Sequence, residues 1–102
     1  MPERASKYQS REARMAIREV LLKEWDPIGV QGIAGAENEY DPYVGRLYVM
    51  LMQEHATAED IAAYLLNIAT DRMDLALSTE LAERGKRAAA ELADLRPRLP
   101  TH

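Results

Sequence analysis

Trp25-Asp26-Pro27-Ile28-Gly29-Val30, answered eight residues later by Glu39-Tyr40-Asp41-Pro42-Tyr43, decides how this chain folds. On either side of it apolar residues recur at three- and four-residue spacing, the pattern of amphipathic helices. Pro27 ends the first helix, because the residue before a proline is pushed out of the α region. Asp41 followed by Pro42 starts the next one: aspartate is a favoured N-cap, and a proline at the first helical position lacks an N–H that would go unbonded there. The fifteen positions between, 26–40, hold Gly29, Gly32 and Gly35 and read as a loop. A loop of that length is long for a small domain, and such loops are usually functional or mobile.

Working outward, the spacing predicts a first helix from about Ser10 to Trp25, with Ala13, Ala16, Ile17, Val20, Leu21 and Trp25 on its apolar side. A second runs from Asp41 to near His55, with Val44, Leu47, Tyr48, Leu51 and His55 on one face. Thr57 opens a third, with Asp60 three residues on in a near capping-box pattern, and Ile61, Tyr64, Leu65, Ile68 and Ala69 carry it to about Met73. After a short connection over 74–78, Ser78 or Thr79 caps a fourth helix reaching Leu95. Its narrow apolar face is Leu81, Gly85, Ala88, Leu92 and Leu95, and Gly85 calls for close approach of a neighbouring helix to offset its cost of about 1 kcal/mol. No strand-like alternation appears. The expected fold is all-α: a single-domain bundle of about four helices over 1–102, with a long loop between the first and second. Residues 1–9 and 96–102 are expected to fray.

Composition narrows the classes. The chain of 102 residues is long enough for one core, and 47% apolar with 29% charged residues marks it as globular rather than disordered. It has no cysteine, which removes disulfides, thiolate metal sites and a cysteine nucleophile and points to a reducing cytoplasm. No apolar run approaches the roughly 20 residues of a membrane span. Net charge is −4, and segment 26–83 alone carries −9 between two basic ends. That acidity argues against nucleic-acid binding, although Arg11, Arg14 and Arg18 line one edge of the first helix. Those arginines read as a solvated face balanced by Glu12, Glu19 and the acidic middle.

Several segments together suggest a relationship. Leu21 to Val30, Glu39-Tyr40-Asp41-Pro42-Tyr43-Val44, Ile61-Ala62-Ala63-Tyr64-Leu65 and Thr70-Asp71-Arg72-Met73 resemble a family of small helical bacterial proteins. That family carries a Trp-Asp-Pro-Ile-Gly-Val element before an acidic Asp-Glu-Tyr-Asp-x-Tyr element. The resemblance covers about residues 17–95 and implies a helical fold with a shared loop, and no activity. Two departures stand out: Asn38 occupies a position the pattern gives to aspartate, and Asp74 one where glycine often follows the methionine.

The candidate site is the loop and its flanks: Trp25, Asp26, Glu39, Tyr40, Asp41 and Tyr43. Asp26, Glu39 and Asp41, with Glu37 nearby, could form a hard-cation site, but their spacing matches no EF-hand. The structural reading makes Asp41 a helix cap and Asp26 an acceptor for backbone amides of its own loop. Trp25 is expected to plug the bottom of the core, with Tyr43 at the core edge and Tyr40 facing the loop. His55 reads as a cation at a helix C-terminus. No Ser-His-Asp order, no His pair and no phosphate-cradling glycine pattern appears, so no catalytic residue, cofactor or metal is expected. The composition favours a non-enzymatic protein-interaction domain using loop 25–43, one version being an acidic immunity-type inhibitor of a basic protein. The alternatives are a small-ligand or metal-binding helical module and a structural homo-oligomer.

Overall fold

The computed structural model describes residues 2–36 and 38–98, with side chains described for 11–36 and 38–97. Four α-helices carry the fold: α1 (Pro2–Val20), α2 (Asp41–Met52), α3 (Ala58–Asn67) and α4 (Thr79–Leu95). No strand occurs among the described residues, so the chain is all-α. α1 continues into a π-helical turn over Leu21–Trp25, α3 into another over Ile68–Arg72, and a short 3-10 turn, Arg96–Arg98, follows α4. None of the described helices is long and apolar enough to cross a membrane.

Both π turns adjoin the end of a line of buried residues. Ala13, Ile17, Leu21 and Trp25 are spaced by four residues and all wholly buried; Ile61, Leu65 and Ala69 repeat that pattern in α3. In an α-helix each four-residue step rotates a side chain by about 40° from the last, because a turn takes 3.6 residues. Widening the final turn brings Trp25, the last residue of the first line, back toward the core. The widened bonds run from the Asp26 N–H to the Leu21 carbonyl (2.8 Å) and from the Met73 N–H to the Ile68 carbonyl (3.0 Å).

α1 and α2 run antiparallel. Arg18 meets Asp41 at the start of α2, while Arg14, one turn back, stacks its guanidinium 5.5 Å from the Tyr48 ring further along it. Gly45 leaves room for Arg14, whose guanidinium would lie 3.4 Å from a β-carbon there. α3 and α4 pack closely, with Gly85 buried against α3. A methyl at Gly85 would nonetheless sit 3.9 Å from the Ala62 carbonyl, an ordinary contact, so the approach does not demand glycine.

Helix boundaries differ from the sequence reading in instructive ways. α1 begins at Pro2 rather than near Ser10, since a polar helical extension carries no apolar period to detect. The expectation of fraying over 99–102 lies outside the described residues. α3 starts with the full capping box: the Asp60 N–H donates to the Thr57 hydroxyl, and the Thr57 N–H to the Asp60 carboxylate, both at 3.1 Å. Ser78 caps α4, accepting from the Leu81 N–H at 3.0 Å.

α2 departs most. Tyr40, not Asp41, holds the N-cap position and supplies no side-chain capping bond; Asp41 is the first helical residue and its carboxylate turns to Arg18 instead. A guanidinium within reach offers a charge-assisted, two-pronged bond that a lone amide cannot match. At the other end α2 stops at Met52, so His55 does not share its buried face. His55 is exposed in a left-handed conformation (φ 52°), and the Ala56 N–H beyond it closes the helix on the Met50 carbonyl at 2.8 Å.

Candidate functional site

The core reaches the loop through Trp25, which is wholly buried at the end of the first π turn. Tyr40 lies beside it, ring centroids 5.2 Å apart, and Tyr43 meets the indole edge-on at 6.3 Å. The Trp25–Tyr40 rings are tilted at 54°, while the Trp25–Tyr43 contact is T-shaped, a favoured aromatic geometry. The expectation that Tyr40 faces the loop is therefore corrected. Its ring is entirely buried and only its hydroxyl reaches the loop, because a phenol can pack its apolar body while its polar tip bonds. Tyr43 is half-buried at the core edge, as the helical spacing predicts.

That hydroxyl meets Asp26. The Tyr40 O–H donates to the Asp26 Oδ1 at 2.7 Å and accepts from the Ile28 N–H at 3.3 Å. The same carboxylate accepts from the Val30 N–H at 2.7 Å and the Gln31 N–H at 3.0 Å. Asp26 itself is left-handed (φ 33°), which turns the chain back over its own side chain. From α4, Arg84 donates to the Asp26 carbonyl at 3.3 Å while pairing with Glu80 at 3.0 Å. Asp26 is thus the hub that fixes both ends of the loop to each other and to α4.

Electrostatics follow this geometry. Burial alone would raise the Asp26 carboxyl, but the Tyr40 hydroxyl, the Val30 and Gln31 amides and the Arg84 charge outweigh it and hold its pKa below the ordinary value. Tyr40 moves upward, first from burial and then from its bond to the Asp26 carboxylate; the Ile28 amide opposes this in part. The pair is a neutral phenol bonded to an ionised carboxylate over a wide pH range.

Beyond the hub the loop is a staircase of reverse turns. Ile33 N–H bonds to the Val30 carbonyl (3.0 Å), Ala36 to Ile33 (3.1 Å) and Glu39 to Ala36 (3.2 Å). The three-residue glycine spacing has its explanation here: Gly32 and Gly35 take φ of 84° and 86° at the third position of successive turns, where a side chain would be strained.

Of the six candidate residues, the structure leaves only Glu39 exposed. Trp25 and Tyr40 are in the core, Asp26 is bonded to its own loop, and Tyr43 packs on Trp25. Asp41 is held by Arg18 through bonds of 2.9 and 2.6 Å, its side chain 37% exposed. Asp26, Glu39 and Asp41 do not form one cluster, and among the described residues no three histidine or carboxylate side chains gather for a metal. Glu37 lies outside the described residues.

A different feature adjoins the loop. A cavity of about 190 Å³ is lined by Pro27, Leu75, Ala76 and Leu81 together with Ser78, Glu80 and Arg84. The chain neighbours of its lining, Ile28 and Leu77, are 43% and 69% exposed. Sequence reasoning passed over Arg84 and Leu77. The available signal was three apolar residues, Leu75-Ala76-Leu77, inside a connector. No protein-family model, curated protein or solved structure matches this chain.

Proposed function

We propose that this chain is a non-enzymatic interaction module that docks another protein at the cleft between loop 26–40 and the start of α4. The observation that carries the reading is the cavity lined by Pro27, Ala76 and Leu81, whose lining adjoins in the chain the exposed Ile28 and Leu77. These are two of the four large hydrophobic side chains exposed among the described residues. A cavity beside protruding aliphatic groups is where an interface concentrates its energy: one partner side chain fills the pocket while the rim excludes water. The Asp26 hub supports the reading, since a loop already held in one conformation loses less entropy on binding. The docking surface in this reading pairs aliphatic groups with the Glu80–Arg84 ion pair at the cavity, and Glu39 is the loop's exposed charge. The aromatic residues serve as its scaffold.

The test is an affinity capture from the source cells using the native chain and an Ile28→Asp, Leu77→Asp variant, with circular dichroism showing that both fold. Partners retrieved by the native chain should fall at least tenfold with the variant. Equal recovery would remove this cleft as the interface. Light scattering on the purified chain separates a second copy from a foreign partner, because only self-association gives the purified chain a mass above that of one copy.

A further inference from the structure

We draw no further inference here: the strongest candidate, the groove on α1 and its π turn bounded by Met15, Arg18, Glu19 and Leu22, has the spacing that receives a side chain from a packing helix, but nothing in the structure shows what covers it.

Discussion

Asp26 and Asp74 occupy nearly equivalent places. Asp26 directly follows one π turn and Asp74 lies two residues beyond the other, and each is left-handed, at φ 33° and 57°. Their surroundings differ completely. Asp26 gathers two backbone amides, the Tyr40 hydroxyl and, through its carbonyl, Arg84. Asp74 is exposed, and what closes the turn there is backbone alone, the Leu75 N–H bonding to the Ala69 carbonyl at 3.0 Å. The same strained backbone therefore serves two ends. At 26 it aims a carboxylate that the loop needs; at 74 it only stops a helix, a task glycine performs without strain.

The contrast is sharpest at the residues that end the two π turns. Trp25→Ala empties a wholly buried site and should cost about 3–5 kcal/mol, a large part of a typical domain's stability. Arg72→Ala, at the corresponding exposed position, should change stability by less than about 0.5 kcal/mol. Urea denaturation of the two variants decides this, and equal effects would erase the distinction between the turns.

Tyr40→Phe comes next. It keeps the ring in the core but removes the donor to Asp26 and the acceptor for the Ile28 amide, at a cost of about 1–3 kcal/mol. NMR titration should show the Asp26 pKa moving upward in that variant, a result that simple loss of packing would not give.

The pH dependence carries the same asymmetry. Folding lowers the Asp26 carboxyl from its ordinary 3.8, so its contribution is complete above that value and is lost as pH falls through the lower folded-state value. Tyr40 is shifted the other way: its contribution is complete below its ordinary 10.0 and is lost as pH rises through the higher folded value. In acid titrations followed by circular dichroism, Asp26→Asn should flatten the acid limb below about pH 4.

The smallest effects have opposite sign. Asp74→Gly should stabilise the fold by up to about 1 kcal/mol by removing the left-handed penalty, and His55→Gly, another exposed left-handed position, should act likewise. Asp26→Gly should destabilise, since its side-chain bonds outweigh the same relief. Melting temperatures that rise for all three would show that Asp26 is no hub.

Much of the fold was legible because it rests on local chemistry. The four-residue lines of α1 and α3, the Thr57–Asp60 box, the Ser78 cap and the loop's bounds all declare themselves within a few residues. The site was only partly legible. Asp26 as an acceptor for its own loop follows from the aspartate before Pro27, and the burial of Trp25 from its place at the end of an apolar stripe. Its other partners are distant in sequence: Tyr40 lies 14 residues away and Arg84 58. Periodicity carries no information about such meetings. Asp41 shows the same limit, since its local role as a cap lost to an arginine 23 residues upstream.

Trp25 has one further consequence. It is the chain's only tryptophan, sealed from solvent, and its indole N–H has no hydrogen-bond partner among the described residues. An indole in such surroundings emits at short wavelength, and water reaching it shifts the light to the red. The aromatic floor of the loop is thus a built-in optical probe, reporting without any label when the end of the bundle carrying the proposed docking cleft opens.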